Sequence, residues 1–324
     1  MGHQGPVKQW IKGVGSQFSK PQAQVSSHQQ IGREGFYVGS IHTGCHLHET
    51  PLNLIEAVQH SCNTYFIQTL KNILQDAKFQ STAEAFTSWR NHLLSFGFAN
   101  PLGIELKNEL NGNIPEAGYF DRIYGVNHWN YVTVRSLGIG QGEILITPIQ
   151  MANMTATMAN RGYYITPHLV REIEGDDQID EAFTIRHYTS IDSINYEPIV
   201  DGMELVVNGG PGSTARNAKI SDIIVCGKTG TAENPHGNDH SIFIAFAPKD
   251  DPKIAIAVYV ENQGFGTTYA APIASLMIEK YINGEVKRRW YEDWVMGKIP
   301  PVVKTISPVV DTSDTKVDSS GQSQ

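Results

Sequence analysis

The feature of this sequence that most constrains its fold is a pair of apolar segments joined by a short polar turn. Ser241–Ala247 and Ile254–Val260 are rich in Ile, Val, Phe and Ala, and residues 248–252 between them read PKDDP. Two such runs around a proline-bounded turn predict a β-hairpin. A third apolar run, Ile223–Cys226, leads into the segment GKTGT at 227–231. These runs predict the strands of an antiparallel sheet.

Segments with helical periodicity lie on both sides of the predicted strands along the chain. Thr50-Pro51 predicts a helix start, since proline is favoured at the first helical position, and a second helix is predicted from about Thr64. Thr147–Gln150 predicts a capping box and a helix that ends near Gly162. Further helices are predicted from Thr82 to Phe96 and from Pro272 to Gly284. The expected fold is therefore α+β, an antiparallel sheet flanked by helices on both faces.

Composition limits the kinds of partner. The chain has 324 residues, 25 basic and 33 acidic side chains, and a net charge of −8, so no overall positive charge favours nucleic acid. No segment approaches the ~20 apolar residues that a membrane helix needs. The polar start of the chain also lacks the apolar core of a signal peptide.

Two short motifs carry candidate chemistry. Ser61-x-Asn63 lies at a predicted corner between two helices, and Lys228-Thr229-Gly230 lies at the end of a predicted strand. Alone, the first motif is also typical of a helix cap and the second of a turn. Together they suit peptide chemistry, because a strand-borne lysine attracts a carboxylate and a glycine lets a substrate backbone approach. A serine hydroxyl and an amide on the opposite wall can relay a proton and hold a peptide carbonyl.

The surroundings of these motifs resemble one enzyme family. The segments that carry the resemblance are GIGQG at 138–142, TPIQMA at 147–152, ANRG at 159–162, GKTGTAE at 227–233 and FAP at 246–248. Over residues 35–284 they are similar, in order, to class B penicillin-binding transpeptidases, particularly the elongation-type penicillin-binding protein 2. Ser-Asp-Asn and Lys-Thr-Gly belong to the signature of penicillin-binding proteins and serine β-lactamases.

The resemblance implies a peptidoglycan D,D-transpeptidase domain that binds penicillin and cross-links the cell wall by serine acyl transfer. It implies that Ser61 shuttles a proton to the leaving group, that Asn63 contacts the bound peptide, and that Lys228 assists the relay and attracts the terminal carboxylate. It also implies one arm of an oxyanion hole from a backbone N–H of the strand. The implied substrate-binding residues are Thr229, Gly230 and Thr231, the last of which supplies that N–H.

The nucleophile motif of the family departs from its usual form here. The family carries Ser-x-x-Lys within Gly-Ser-x-Phe-Lys-Pro, and the nearest match, GSQFSKP at 15–21, places Lys20 four residues after Ser16. The following segment, to Gln30, is too polar for the buried helix that the family has. We therefore expect an impaired enzyme whose N-terminal part is truncated or frame-disrupted. An intact Ser-x-x-Lys at Ser313–Lys316 lies in the predicted disordered tail, and we attribute it to chance.

The alternatives to an impaired transpeptidase are a catalytically dead peptide-binding remnant and a serine β-lactamase. For a β-lactamase, no base that would release the acyl group is found in the sequence.

A cluster of histidine and cysteine precedes the Ser-x-Asn corner. Some members of the family are thought to hold a structural zinc here, which by resemblance implicates Cys45, His48 and Cys62. A solvated polar loop and a Cys45–Cys62 disulfide are the other two interpretations. Cys226 is predicted to be a core residue. The remaining residues of the cluster are His42, His46 and Glu49.

The resemblance also implies location and partners. Peptidoglycan stem peptides and β-lactams are the expected ligands, a cell-elongation glycosyltransferase is the expected protein partner, and no cofactor is required apart from the zinc. The expected location is the periplasmic face of the inner membrane, although the chain shows no signal or anchor. We expect residues 1–34 to be a disordered segment outside the match, 35–284 to form the transpeptidase domain, and 285–324 to be an extension with a disordered tail.

Overall fold

The computed structural model of the chain describes residues 36–38, 41–45, 48, 51–170 and 181–298. Short turns of 3₁₀ helix connect several of its helices and strands. In chain order, the helices and strands are β1 (Phe36–Val38), β2 (Ile41–Thr43), α1 (Leu54–Gln59), α2 (Asn63–Leu74), α3 (Thr82–Leu94), α4 (Ala117–Tyr124), α5 (Tyr131–Val134), α6 (Pro148–Ala159), β3 (Tyr163–Ile165), β4 (Arg186–Tyr188), α7 (Glu197–Asn208), β5 (Cys226–Ala232), β6 (His240–Ala247), β7 (Ile254–Val260), α8 (Ala270–Asn283) and α9 (Arg289–Val295).

Within the part of the chain that the structure describes, the principal sheet has three antiparallel strands in the order β5-β6-β7, and β5 forms one edge. Successive side chains of a strand point to opposite faces, yet Ala245, Phe246 and Ala247 of β6 are all fully buried. Both faces of the central strand are therefore covered. Helices α6 and α8 pack on β6 and β7, and α7 packs on β5. The predicted α+β fold, with an antiparallel sheet flanked by helices, is confirmed.

The helix that precedes the Ser-x-Asn corner begins later than predicted. Asn53, not Thr50, is its N-cap: the Asn53 side chain accepts a hydrogen bond from the backbone N–H of Glu56, and the Glu56 carboxylate accepts one from the backbone N–H of Asn53. This reciprocal pair satisfies two N–H groups at once, so it overrides the proline signal at position 51. The capping box predicted at Thr147 and Gln150 is present and opens α6.

The Lys-Thr-Gly motif lies within a strand, so the prediction that it ends one is wrong. Every residue of β5 from Cys226 to Ala232 is paired with β6. The two glycines of this strand face bulky neighbours, and a Cβ on Gly227 would stand 2.4 Å from the Phe243 ring. The small residues let β6 approach closely, and this pairing extends the strand through residues of low strand propensity.

Two apolar clusters hold the corner and the sheet in place. One contains α7, β5 and β6, and Gly202 of α7 lies against Val58 of α1. The other is aromatic and includes Phe86, Phe120 and Trp129, which lie 5.2–5.5 Å apart by ring centroid. Among the described residues, no helix has both the length and the apolar character needed to cross a bilayer.

Candidate functional site

The structure joins the two motifs that the sequence places 167 residues apart. Lys228 Nζ, from strand β5, donates a hydrogen bond of 2.6 Å to Ser61 Oγ at the corner between α1 and α2. It also donates one of 3.0 Å to the carbonyl oxygen of Thr229. Ser61 has a φ of 54°, in the left-handed region that few non-glycine residues adopt. This conformation turns the chain between the two helices and holds the hydroxyl at the lysine.

The environment of Lys228 makes it suited to proton transfer. Burial lowers the pKa of Lys228 from its usual 10.5 to about 8. A useful fraction of the amine is therefore neutral near physiological pH, where it can accept a proton from Ser61 or return one through it. A lysine and a serine in this contact can pass a proton to or from a third group in the cleft.

Asn63 is the first residue of α2 and lies beside this pair along the chain. Its Nδ2 donates a hydrogen bond of 2.9 Å to the carbonyl oxygen of Gly44. An asparagine amide carries two N–H donors and a carbonyl acceptor, so groups remain available for a ligand.

The remaining residues of the strand motif line the free edge of β5. Thr229 Oγ1 donates to Thr214 Oγ1 at 3.2 Å, and the carbonyl oxygen of Thr231 accepts from Gln141 Nε2 at 2.9 Å. Gly230 lies between them and pairs with Ile242 of β6. Sequence reasoning missed the roles of two of these partners. Gln141 belongs to the GIGQG segment that carries the resemblance, which is a usable signal, whereas nothing in the sequence marks Thr214.

Three residues that the sequence singles out as metal ligands lie together at the same corner. Cys45 Sγ is 3.3 Å from Cys62 Sγ and 3.4 Å from His48 Nε2, and the three ligand atoms lie within 4.8 Å of one another. Cys62 directly follows Ser61 and is 4% exposed. The hydrogen bond between Cys45 and Cys62, with further help from the Thr64 backbone and from His48, lowers the pKa of Cys45 to about 4. The same bond and burial raise the pKa of Cys62.

This set of donors fits a zinc ion. Zinc prefers thiolate sulfur and imidazole nitrogen in a tetrahedral arrangement, and two thiols with one imidazole supply three such ligands. The three side chains are free of disulfide bonds and converge on one point. Cys226 is fully buried on β5 and lies in the core, as the sequence predicts.

Several predicted residues lie outside the part of the chain that the structure describes. Neither Ser16 nor Lys20, the candidate nucleophile and its lysine, is described, and neither is the chance motif at Ser313–Lys316. His46 and Glu49 also fall outside, and the side chain of His42 is not described.

Comparison with known proteins gives a consistent set of matches. The family described as "Penicillin binding protein transpeptidase domain" matches residues 17–279. The peptidoglycan D,D-transpeptidase MrdA of Haemophilus influenzae is 32% identical over 252 residues, which cover 72% of this chain and 37% of that protein. The chain thus spans less than half of the length of this relative.

Two solved structures are similar in both fold and sequence. The Pseudomonas aeruginosa PBP2 in complex with WCK 5153 is 30% identical, with a TM-score of 0.59 over 74% of this chain and 50% of that one. The penicillin-binding protein A from M. tuberculosis, solved as an imipenem acyl-enzyme complex, is 27% identical, with a TM-score of 0.55. That match covers 72% of this chain and 48% of the other.

Proposed function

The chain belongs to the penicillin-binding protein transpeptidase family, and from that premise we propose that it forms the site of a peptidoglycan D,D-transpeptidase acting on D-Ala-D-Ala-ended stem peptides. In this reaction a serine Oγ attacks the carbonyl of the penultimate residue, the peptide bond breaks, and the terminal D-Ala leaves as an amine that must gain a proton. The acyl group then passes to the amine of a second peptide, which gives up a proton.

The hydrogen bond between Lys228 and Ser61 carries this proposal. Its geometry suits the delivery of a proton to the departing amine and its later removal from the incoming one. Lys228 also lies on the strand edge where Thr229 and Thr231 present hydroxyl groups for the terminal carboxylate. Asn63, at the start of α2, suits a contact with the peptide carbonyl.

We further propose that acylation is impaired because the nucleophile motif is not intact. Acylation requires a neutral lysine beside the attacking serine, and a lysine loses its proton near neutral pH only where it is buried or crowded by cations. The segment from Ser16 to Gln30 holds too few apolar residues to bury Lys20. A solvated Lys20 stays protonated and cannot act as the base for Ser16.

Fluorescent penicillin labelling, followed by mass mapping of the modified residue, tests both proposals. We expect negligible labelling of the chain and clear labelling after residues 1–30 are replaced by an intact family-like Ser-x-x-Lys helix. Stoichiometric acylation of Ser16 in the unaltered chain would refute the impairment. A replaced chain that stays inert would refute the transpeptidase site and favour a peptide-binding remnant. Release of hydrolysed penicillin with turnover would identify a β-lactamase.

A deletion variant distinguishes the effect of the Ser-to-Lys spacing from the effect of burying the lysine. Removing Ser19 leaves Gly-Ser-Gln-Phe-Lys-Pro, which has the family spacing but keeps the polar segment that follows. We expect it to label far less than the replaced chain, since its lysine is still solvated. Deletion of Gln24 is the control of equal length, and it leaves the longer spacing unchanged.

We propose that Cys45, His48 and Cys62 hold a structural zinc that fixes the Ser61 corner to the segment before α1. Elemental analysis of the purified chain should find one zinc per molecule, and Cys45→Ser and Cys62→Ser should lose it because two ligands hold zinc far more weakly than three. Cys226→Ala is the matched control and should keep the metal. Equal zinc in all variants would refute the site, and one titratable thiol instead of three under non-reducing conditions would show the disulfide.

Partners and location follow from the family alone. We propose that the chain acts with a cell-elongation glycosyltransferase at the periplasmic face of the inner membrane. The names of its relatives, which are peptidoglycan D,D-transpeptidases, support a role in cell-wall synthesis, and the partner and the location rest on the family resemblance.

A further inference from the structure

The loop at residues 138–142 bridges the two walls of the cleft. A Cβ on Gly138 would stand 3.2 Å from Leu70 of α2, so the loop packs closely on the helix that Asn63 begins. Gly140 and Gly142 both have left-handed backbones, with φ of 75° and 78°. A Cβ on Gly142 would also stand 2.8 Å from Ser136 Oγ, so the crowding adds to the preference of this left-handed backbone for glycine.

These two glycines flank Gln141 and fix its direction. The backbone N–H of Gln141 donates to the carbonyl oxygen of Ser136 at 3.0 Å. Its side-chain Nε2 donates to the carbonyl oxygen of Thr231 at 2.9 Å, across 90 residues of sequence. The side chain is half-buried, so this bond is partly shielded from water.

The bond between Gln141 and Thr231 lies at the edge of β5 with which no described strand pairs. In an antiparallel ladder the N–H and C=O of one residue point to the same side of the strand. Among the described residues, β5 has a neighbouring strand, β6, on one side only, so a Thr231 carbonyl held by Gln141 points to the other edge, and the Thr231 N–H points there too. Thr229, two residues earlier, directs its carbonyl to Lys228 Nζ. In a strand, the carbonyl groups of residues two apart point to the same edge, and the contacts of Thr229 and Thr231 agree with this rule.

We propose that Gln141 is a positioning residue, which holds the Thr231 carbonyl and thereby the backbone angles of Thr231, so that the Thr231 N–H faces the cleft as a donor to the oxyanion. The oxyanion role rests on the proposed transpeptidase function. Gln141 supplies the hydrogen bond that a neighbouring strand would otherwise give to an edge carbonyl near the end of β5. Without it, the backbone at Thr231 is restrained by β6 alone, and a donor that must be oriented before reaction is held less firmly.

Two substitutions separate this role from general loop stability. Gln141→Glu keeps the size of the side chain but faces the Thr231 carbonyl with a carboxylate that has no N–H to donate. Gln141→Ala removes the contact altogether. Gln68→Glu makes the same chemical change on α2, where the Gln68 side chain donates to exposed Asn72, and it is the matched control.

The test is nuclear magnetic resonance of the full chain, reading the carbonyl ¹³C shift and the amide order parameter of Thr231. In both Gln141 variants we expect the carbonyl signal to move upfield and the order parameter to fall from about 0.85 towards 0.6. In Gln68→Glu both should stay unchanged. Thermal unfolding identifies a variant that is globally destabilised.

Unchanged Thr231 signals in folded Gln141→Glu and Gln141→Ala would overturn the proposal. So would equal changes in order parameter throughout the loop and both walls, which would show a structural role alone. This outcome is independent of penicillin labelling. A cleft that is not labelled in the replaced chain refutes the proposed function, whereas the Thr231 signals decide whether Gln141 orients the backbone of Thr231.

Discussion

At the scale of single residues, the site depends on the protonation of Lys228. Its ammonium lies among protein atoms and bonds to a hydroxyl and a carbonyl, both neutral. Neutral partners compensate burial less than a carboxylate does, so the charged form is disfavoured. Lys249 is the opposite case in the same molecule: hydrogen bonds to Asp201 and Glu204 raise its pKa.

This contrast predicts a pH dependence of stability. For Lys228 the folded pKa of about 8 lies below the usual 10.5, so between these values the unfolded chain binds the extra proton. The wild type should gain stability relative to Lys228→Met as pH rises through this window, by at most about 1.4 kcal/mol per pH unit. The partial exposure of the side chain reduces the gain.

Urea unfolding at several pH values between 7 and 10 measures the gain. Lys249→Met is the control. Because the pKa of Lys249 is raised in the folded state, the contribution of Lys249 to the free energy of unfolding stays constant until the pH exceeds 10.5. Parallel pH profiles for wild type and Lys228→Met would contradict the prediction.

At the scale of elements, the position of the Ser61 corner depends on the packing of α1 against α7. A Cβ on Gly202 would stand 2.6 Å from Val58 Cβ and 3.0 Å from the Ile55 carbonyl oxygen. Both of those atoms are rigidly held in α1, three to six residues before Ser61. The absence of a side chain at position 202 therefore sets the distance between the two helices.

Gly202→Ala tests this contact. Although alanine favours helices, we expect a loss of about 1–3 kcal/mol in the free energy of unfolding, because α1 must move to admit the methyl group. Gly210→Ala is the control, since no atom lies within 4 Å of its added Cβ, and it should change stability by less than about 0.5 kcal/mol. A Gly202→Ala protein as stable as wild type would show that α1 adapts without cost. Chemical denaturation gives both values.

Sequence reasoning performed best where one local signal had no competitor. The hairpin of β6 and β7 and the capping box of α6 were predicted because two apolar runs around a proline-bounded turn and a capping pattern determine them locally. The start of α1 was wrong because two cap signals compete within four residues and the choice depends on a side-chain contact of Glu56. The strand through Lys228 was placed too early because pairing with β6, a long-range interaction, overrides the low strand propensity of glycine.

The same distinction applies to the site. Ser61 and Lys228 could be predicted to meet only through a resemblance of motif order, since no local pattern brings together residues so far apart. The partners Thr214 and Gln141 contact the strand through the tertiary fold, and spacing alone gives them no role.

At the scale of the whole molecule, a buried ion pair connects helices α8 and α9 to the domain. Glu279 of α8 is 2% exposed and accepts a hydrogen bond of 3.1 Å from Arg288 Nε. The same guanidinium donates to Ser275 and to the carbonyl of Lys219, in the segment before β5. One arginine thus connects α8, the start of α9 and the approach to the sheet.

Arg288→Ala should destabilise the protein by about 3–5 kcal/mol, because it leaves the Glu279 carboxylate buried and unpaired. The double variant Arg288→Met, Glu279→Leu should recover most of this loss, since an apolar pair needs no charge compensation. Arg289→Ala is the control: its bond to Glu292 is exposed, so the loss should stay below about 1 kcal/mol. Equal losses for Arg288→Ala and the double variant, measured by urea unfolding, would contradict this account.

The left-handed backbone at Ser61 also restricts which mutations the corner can accept over time. Threonine is the usual replacement when a hydroxyl must be kept, but a β-branched side chain is strongly disfavoured at a φ of 54°. Glycine and asparagine accept that backbone but supply no hydroxyl to Lys228. None of these three replacements at position 61 therefore keeps both the left-handed backbone and the hydroxyl that bonds to Lys228. Serine provides both.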